Sequence, residues 1–203
     1  MKLVIVDYGM GNITSIISAL NFLGVDDVVV SNKPYILNSA DKLILPGVGN
    51  YATAIAEIRK LNLDKRLEEL VINQKKPILG ICLGMQLLGC SSTESGFNHG
   101  LSLVQGVVDK FCSNELKVPH VGFNQVIPTQ QSRLYSGIEG NPDFYFTHSF
   151  KMLSESSIGQ SLCTYGESFI ASFELENVAG VQFHPELSQK NGLHLIKNFI
   201  ELF

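Results

Sequence analysis

Short apolar runs alternate with longer segments of helical periodicity in the first half of the chain. The apolar runs, which are of the kind that forms strands buried on both faces, lie at residues 3–6, 28–30 and 42–45. Helical spacing of apolar positions is found at residues 13–23, 52–60 and 64–74. Because this alternation builds β-α-β units, we expect a largely parallel central sheet flanked by helices up to about residue 89.

From residue 100 onward the pattern changes to short alternating runs separated by Gly, Pro, Asn and Ser. Such runs predict strands at residues 101–111, 118–127, 144–146, 169–175 and 178–183. We expect these strands to be mostly antiparallel. Residues 189–203 carry apolar side chains on one helical face and predict a helix that closes the fold.

The segment at residues 76–86, KPILGICLGMQ, joins an apolar run to a glycine-flanked cysteine and a helical pattern. This order predicts a strand, a sharp turn and a helix, with Cys82 on the turn as in a nucleophile elbow. Gly80 and Gly84 fit this interpretation because a Cβ at either position would collide with neighbouring backbone. A thiol at a helix N-terminus ionises more readily than a free thiol, and the N–H of Leu83 is placed to stabilise an oxyanion. The alternative is that Cys82 is a small buried residue at the end of a core strand.

Two glycine-containing loops follow predicted strands, at residues 7–12 and 46–49. The first lacks a dinucleotide fingerprint, because the third glycine would fall at Thr14. The second matches the looser form that ends in alanine, but no acidic residue follows at the spacing needed to bind a ribose. Since loops at the carboxyl ends of parallel strands converge, we expect the second loop to lie beside the cysteine turn and to offer another backbone N–H to an oxyanion.

A cysteine nucleophile needs a general base within hydrogen-bonding distance and a third group that orients the base. Of the five histidines, His184 alone ends an apolar strand and has a carboxylate, Glu186, two positions later. Residues i and i+2 of an extended segment project to the same side, so the imidazole and the carboxylate can meet. The alternative is a strand-end histidine beside a proline turn with a solvated glutamate.

Composition narrows the functional classes. The 203 residues are 45% hydrophobic and carry a net charge of −4 without a Lys/Arg cluster, which argues against nucleic acid or a membrane as partner. The apolar run near the start is too short for a signal peptide and no run approaches the ~20 residues that span a bilayer, so we expect a cytoplasmic protein. The four cysteines are far apart and indicate neither a disulfide framework nor a metal site. We expect one domain over residues 1–203, with no metal or cofactor.

Taken jointly, these segments resemble the class I glutamine amidotransferases, which are Cys-His-Glu glutaminases. The cysteine turn and the segment GVQFHPE at residues 180–186 carry this resemblance. Closer similarity to the glutaminase subunits of imidazole glycerol phosphate synthases lies in the motifs DYGMGN at 7–12, PGVG at 46–49, PHVGFN at 119–124 and FYFTHS at 144–149. The resemblance covers nearly the whole chain. It implies a flavodoxin-like α/β fold with an antiparallel C-terminal extension.

The resemblance also implies an activity: hydrolysis of glutamine to glutamate and ammonia. The ammonia would pass to a (β/α)8-barrel synthase subunit, the other half of a heterodimer that makes imidazole glycerol phosphate and AICAR in histidine biosynthesis. Cys82 would attack the glutamine side-chain amide, His184 would move the protons, and Glu186 would orient the histidine.

The family pattern implies further roles for individual residues. The oxyanion would be held by Leu83 together with Val48 or Gly49. The residues implied to bind glutamine are Gln86, His148 and Ser149, although Gln86 has the alternative of a helix-surface amide. The residues implied to face the partner are Asn12, Phe123 and Leu187.

Two positions depart from the family pattern: Phe123 stands where tryptophan is usual, and Leu187 where lysine is usual. Both belong to the surface assigned to the partner, so a paralogous subunit that supplies ammonia for amidino-sugar biosynthesis of a surface polysaccharide stays open. A free-standing cysteine hydrolase or peptidase is a second alternative. A catalytically silent regulatory subunit is a third, and the presence of Cys82, His184 and Glu186 argues against it.

Overall fold

A nine-stranded mixed sheet runs through the molecule, as seen in a computed structural model that describes residues 1–112 and 117–203. In chain order the strands are β1 (Leu3–Val6), β2 (Val28–Ser31), β3 (Lys42–Leu45), β4 (Ile78–Ile81), β5 (Ser91–Ser92), β6 (Asn98–His99), β7 (Val107–Lys110), β8 (His120–Ile127), β9 (Asp143–His148), β10 (Phe150–Leu153), β11 (Ser161–Tyr165), β12 (Glu167–Leu175) and β13 (Val178–Val181). The order across the main sheet is β2-β1-β3-β4-β13-β12-β11-β8-β9. A smaller, four-stranded sheet has the order β10-β7-β5-β6.

The first five strands of the main sheet, β2 to β13 in that order, are all parallel. The helices are α1 (Ile13–Phe22), α2 (Pro34–Asn38), α3 (Tyr51–Lys60), α4 (Leu63–Glu68), α5 (Leu83–Leu87) and α6 (Gln189–Leu202). Strands made only of buried residues, such as β1 and β4, need cover on both faces. The predicted fold class, a largely parallel central sheet flanked by helices, is confirmed.

Two helical predictions need correction. The helix expected over residues 64–74 ends as an α-helix at Glu68 and continues as a π-helical turn over Glu69–Asn73. Helix α2 was not predicted, although Pro34 at its first turn is a favoured starting residue. Periodicity did not identify this helix because it is only five residues long.

Two strand predictions also need correction. Of residues 101–111, only Val107–Lys110 form a strand. The N–H groups of Leu101 and Leu103 instead donate to the carbonyls of Leu87 and Leu88 at 2.9 Å each, so this segment is held against the end of α5. Strand β13 is antiparallel to β12 but parallel to β4, so it belongs to the parallel half as well as to the antiparallel extension.

Alternate residues of the central strands supply two separate cores, one on each face of the sheet. In β1, Val4 and Val6 join the core that includes Tyr51 and Phe173. Leu3 and Ile5 join the opposite core, which is richer in aromatic rings and includes Phe144, Phe146, Phe169, Phe183 and Phe199. The two faces therefore anchor the same strands from both sides.

The carboxyl ends of β1, β3, β4 and β13 lie side by side, and each leads into a loop singled out from the sequence. This edge is where an open parallel sheet places its ligand site. Among the described residues, no helix is long and apolar enough to cross a bilayer.

Candidate active site

Cys82 lies on the turn between β4 and α5 in a strained backbone conformation, with φ 52° and ψ −111°. The flanking glycines permit this turn. A Cβ added to Gly84 would lie 1.9 Å from the carbonyl oxygen of Leu45, and one added to Gly80 would lie 2.7 Å from the backbone N of Met85. As predicted, the backbone approaches both glycines too closely for a side chain to fit. The strained turn places Cys82 at the edge of the sheet.

The loop at residues 46–49 packs directly against this turn, as predicted. A Cβ on Gly47 would lie 2.8 Å from both the backbone N of Gly84 and the Cβ of Leu83. The hydroxyl of Tyr8 donates to the carbonyl of Pro46 at 2.7 Å and ties the loop to the end of β1. Gly49 has φ 103°, a conformation that favours glycine, so the loop turns sharply beside the cysteine.

His184 and Glu186 meet at the end of β13, where the imidazole Nδ1 lies 2.9 Å from Oε1 of the carboxylate. Their side chains are 3% and 0% exposed. Since a carboxylate only accepts hydrogen bonds, Nδ1 carries the proton and Nε2 faces the site. Nε2 of His184 and Oε2 of Glu186 are buried without a hydrogen-bond partner among the described residues. Nε2 is therefore free to exchange a proton with a reacting group.

The electrostatic surroundings of His184 favour its charged form. Burial opposes the charge, but the nearness of two acidic side chains, Cys82 and Glu186, raises the pKa of His184 to about 10. The shift follows from proximity to two acids, which outweighs desolvation. These surroundings suit His184 to take up a proton from a neighbouring nucleophile.

The backbone of His184 is fixed by residues that the sequence did not suggest. Its N–H donates to the carbonyl of Tyr145 at 2.8 Å. The hydroxyl of Ser188 donates to the carbonyl of His184 at 2.6 Å and accepts from the N–H of Tyr145 at 2.9 Å. Strand β9 thus holds the histidine in place from the side away from the parallel half. Nothing in the local sequence signals this role for Ser188.

Cys82 and His184 open into a cavity of about 280 Å³. The cavity is lined by Val48, Gly49, Cys82, Leu83, Gln86, Glu94, Pro119, Thr147, His148, Ser149, Phe150 and His184. All the residues predicted to hold the oxyanion and to bind glutamine are in this set. The volume is near the lower end of the ~300–1,000 Å³ usual for small-molecule sites, so the cavity suits a single amino acid.

Gln86 is 4% exposed and lines the cavity, so it is not the helix-surface amide that was considered as the alternative. Its Nε2 donates to the carbonyl of Phe150 at 3.0 Å and to Oε1 of Gln182 at 2.9 Å. Both of its N–H groups are thereby used within the protein. Its Oε1 is the atom left for a ligand.

Both ring nitrogens of His148 are engaged within the protein. Its Nδ1 donates to the carbonyl of Phe150 at 2.8 Å, so its Nε2 must accept from Nδ1 of His120, 3.0 Å away. Burial lowers the pKa of His148 to about 3 and that of His120 to about 4. Both rings are neutral at ordinary pH and neither can replace His184 as the base.

Glu94 is a cavity residue that the sequence did not suggest. Its Oε2 accepts the backbone N–H of Tyr51 at 2.8 Å, which fixes the carboxylate at the start of α3. Among the described residues that line the cavity, it is the one with a carboxylate. The local sequence STESG indicates only a polar turn, so no signal marked this position.

The three residues expected to face a partner are all accessible. Phe123 is 50% exposed and packs edge-to-face against Tyr145, with 5.5 Å between ring centroids. Leu187 is 41% exposed and follows Glu186 directly. Asn12 is half-buried and precedes α1 without capping the helix through its side chain.

The sequence model of the class-I glutamine amidotransferases matches residues 4–202. The chain therefore belongs to the class-I glutamine amidotransferase family. Among its curated relatives are imidazole glycerol phosphate synthase subunit HisH of Pectobacterium atrosepticum, 45% identical over 203 residues and 100% of both chains, and subunit HisH 2 of Vibrio vulnificus, 43% identical over 202 residues, 99% of this chain and 94% of the relative. These relatives confirm the predicted resemblance to glutaminase subunits of that synthase.

Solved structures agree on the fold. The crystal structure of a glutamine amidotransferase is similar, with a TM-score of 0.76 at 18% identity, over 98% of this chain and 97% of that one. The structure of PurLQS from Thermotoga maritima is similar too, with a TM-score of 0.70 at 17% identity over 98% and 97% of the two chains. At these identities the likeness supports the fold alone.

Proposed function

We propose that this chain is the glutaminase subunit of an imidazole glycerol phosphate synthase in histidine biosynthesis. It hydrolyses glutamine to glutamate and ammonia, and the ammonia passes to a (β/α)8-barrel synthase subunit that makes imidazole glycerol phosphate and AICAR. The observation that carries the proposal is Cys82 on a strained turn beside the buried His184–Glu186 pair. Full-length identity of 42–45% to HisH subunits supports the choice of pathway.

In the proposed reaction, Cys82 is the nucleophile. Its proton moves to Nε2 of His184, the thiolate adds to the glutamine side-chain amide carbon, and the carbonyl oxygen becomes an oxyanion. His184 then protonates the departing nitrogen, which leaves as ammonia, and a γ-glutamyl thioester remains. Water deprotonated by His184 attacks this thioester and releases glutamate. Glu186 keeps the imidazole in the tautomer that each step needs.

The oxyanion would accept hydrogen bonds from the N–H of Leu83 and from a backbone N–H of Val48 or Gly49. The packing of the loop at 46–49 against the turn supports this assignment. Donors aimed at the charge that develops during the reaction stabilise it strongly in a water-poor site, and losing one costs about 10²–10³-fold in rate.

The cavity supports a mode of binding for glutamine. Oε1 of Gln86 accepts from the substrate, because both N–H groups of Gln86 already bind within the protein. Glu94 suits the α-ammonium group, since its carboxylate is fixed by Tyr51 and lines the cavity. The strand end at His148 and Ser149 contributes backbone groups, as the ring of His148 is engaged elsewhere.

The barrel partner is proposed to cover the surface that carries Asn12, Phe123 and Leu187. Exposure of Phe123 and Leu187 at 50% and 41% supports this placement, because accessible apolar and aromatic side chains supply contact area at protein interfaces. The partnership places the protein in a heterodimer. A cytoplasmic location and a single domain remain predictions from the sequence.

A second candidate keeps the chemistry but changes the partner: a paralogous subunit that feeds ammonia into amidino-sugar biosynthesis. Leucine at 187 and phenylalanine at 123, in place of the usual lysine and tryptophan, favour it. Relatives named HisH 1 and HisH 2 both come from Methanococcus maripaludis, at 44% and 39% identity, so one organism can carry two such subunits.

A free-standing peptidase is less well supported, because a cavity of about 280 Å³ leaves little room for a peptide. The deciding experiment measures glutamate release from glutamine by the chain alone, with the histidine-pathway barrel, and with a paralogous barrel. We expect stimulation by the histidine-pathway barrel and labelling of Cys82 alone by an electrophilic glutamine analogue. Labelling at Cys90, or full turnover in Cys82→Ala, would overturn the proposal.

The choice between the two barrels has its own test. Leu187→Lys restores the usual residue at the partner surface. If the histidine-pathway barrel is the partner, it alone binds tightly and stimulates turnover, and the substitution improves or preserves both. Stimulation only by the paralogous barrel supports the second candidate.

A further inference from the structure

Two buried side-chain amides form hydrogen bonds that link the backbone at Phe150 to the sulfur of Cys82. Gln86, on α5, donates from Nε2 to Oε1 of Gln182 at 2.9 Å. Gln182, which follows β13 and is 0% exposed, donates from its own Nε2 to Sγ of Cys82 at 3.7 Å. These contacts form a chain of hydrogen bonds that ends on the nucleophile.

A backbone carbonyl determines which atom donates and which accepts in each of these hydrogen bonds. The oxygen of Phe150 can only accept, so the amide nitrogen of Gln86 must face it, at 3.0 Å. The second N–H of Gln86 then points at Gln182 and requires an oxygen there. Consequently the nitrogen of Gln182, and not its oxygen, faces the sulfur. Turning Gln86 over would place its oxygen against the oxygen of Phe150, and turning Gln182 over would place two N–H donors against each other.

Besides His184, two polar groups of the described residues contact the sulfur, and they have opposite preferences. Thr147 offers a carbonyl oxygen 3.9 Å away, which can accept from a thiol but repels a thiolate. Gln182 offers an N–H, which binds a thiolate more strongly than a thiol because hydrogen bonds to charged acceptors are the stronger kind. Of these two neighbours, Gln182 is therefore the one that favours the ionised sulfur.

We propose that Gln182 donates a hydrogen bond to the Cys82 thiolate and thereby stabilises the reactive form of the nucleophile, while Gln86 positions Gln182. This inference rests on the proposed role of Cys82 as nucleophile. It gives Gln86 a second role besides its contact with glutamine. It also gives a reason for a polar side chain at position 182, which is fully buried and where an apolar side chain would cost less to bury.

The experiment follows the rate at which iodoacetamide alkylates Cys82 as a function of pH, with peptide mass spectrometry to confirm the site. Gln182→Met keeps the length of the side chain and removes the N–H. We expect about tenfold slower alkylation at neutral pH and a midpoint shifted upward by about one pH unit, as for loss of a hydrogen bond to a charged group. With glutamine as substrate, kcat should fall, and a rise in KM would report the separate effect on Gln86, which loses its partner Gln182.

Asn198→Leu is the matched control. Asn198 is also a buried amide, and it donates to the carbonyls of Leu134 and Ser136 at 2.9 and 2.8 Å, away from the cysteine. Its loss should lower the melting temperature without moving the midpoint of alkylation. If Gln182→Met does not fold, Gln182→Asn keeps an amide but is one methylene too short to reach the sulfur, and the same upward shift is expected.

A folded Gln182 variant with the wild-type alkylation profile would overturn the inference. So would a shift that disappears in a His184→Ala background, since Gln182 would then act through the histidine and not on the sulfur. The proposed function is judged separately by glutamine turnover of the wild type. Alkylation of Cys82 reports on Gln182 even if that turnover is absent.

Discussion

Two histidine-containing regions on the same edge of the sheet have opposite electrostatic character. His184 lies beside Glu186 and Cys82, and these acids raise its pKa to about 10 in spite of burial. His148 is buried among aromatic rings with His120 as neighbour, and burial lowers its pKa to about 3. The comparison teaches that burial alone does not decide whether a histidine is charged. The presence of an acid within hydrogen-bonding distance does.

The aromatic surroundings make the second region a rigid wall of the cavity. The His120 ring stacks on Tyr165 with 4.0 Å between centroids, and on Phe146 with 4.9 Å. His148 holds the carbonyl of Phe150, which also accepts from Gln86. The neutral pair thus orients the backbone beside the site, whereas the charged pair is suited to move protons.

The largest expected effect comes from removing the charged histidine. His184→Ala should lower glutaminase kcat by about 10²–10⁴-fold, because proton transfer is lost. His120→Phe, which removes a neutral histidine while retaining a ring, should keep most of the turnover. Glutamate release in the presence of the barrel partner measures both, with circular dichroism to confirm folding. A greater loss in His120→Phe than in His184→Ala would reverse the assignment of the base.

A smaller effect is expected when the acid beside His184 is neutralised. Glu186→Gln keeps the shape of the side chain but removes its charge, so turnover should fall by less than in His184→Ala. The pKa of His184 should drop from about 10, since one of the two acids that raise it is gone. Titration of the imidazole protons by NMR measures the shift. Glu57→Gln, on an exposed helical pair with Lys60, is the control, and an unchanged pKa in Glu186→Gln would contradict the comparison.

The neutral pair should make the fold sensitive to acid. The pKa values of His120 and His148 in the folded chain are about 4 and about 3, below the ordinary 6.5. Between these lowered values and pH 6.5, the unfolded chain therefore binds more protons than the folded chain. Stability is therefore fully present above pH 6.5 and is lost as pH falls. Each such proton changes the free energy of unfolding by about 1.4 kcal/mol per pH unit.

Urea unfolding between pH 7 and pH 5 tests this expectation. The window lies above the ordinary range of the carboxylates. His184, whose pKa is raised, gives a slope of the opposite sign near pH 7, and the two neutral histidines together outweigh it as the pH falls. His120→Phe should flatten the dependence, because one of the two protons is then missing. The same slope in wild type and variant would show that His120 is not forced to stay neutral.

The smallest effect is expected from removing an aromatic ring that stacks on His120. Tyr165→Leu removes the ring that stacks on His120 and should cost about 1 kcal/mol of stability. Water then reaches the imidazole, so the pKa of His120 should rise from about 4 toward its ordinary value. NMR titration gives the pKa and urea unfolding the stability. If the pKa of His120 stays near 4 in this variant, the remaining neighbours are sufficient to exclude water from the imidazole.

Features that depend on local sterics and on the spacing of hydrophobic residues could be predicted from the amino-acid sequence. The glycines around Cys82 predicted a turn in which a Cβ at Gly84 would lie 1.9 Å from a carbonyl, and the structure has that turn. The parallel half and its flanking helices followed from the apolar runs. The pairing of His184 with Glu186 followed from a separation of two residues.

Contacts between residues that are distant in the sequence become visible in the folded chain. Gln86 and Gln182 are 96 residues apart, and His120 and His148 are 28 apart, so neither contact has a local pattern. The parallel pairing of β13 with β4 likewise joins two strands that are far apart in the sequence. Protonation states belong to this second group, because the pKa of a side chain depends on the partners and the burial that distant residues provide.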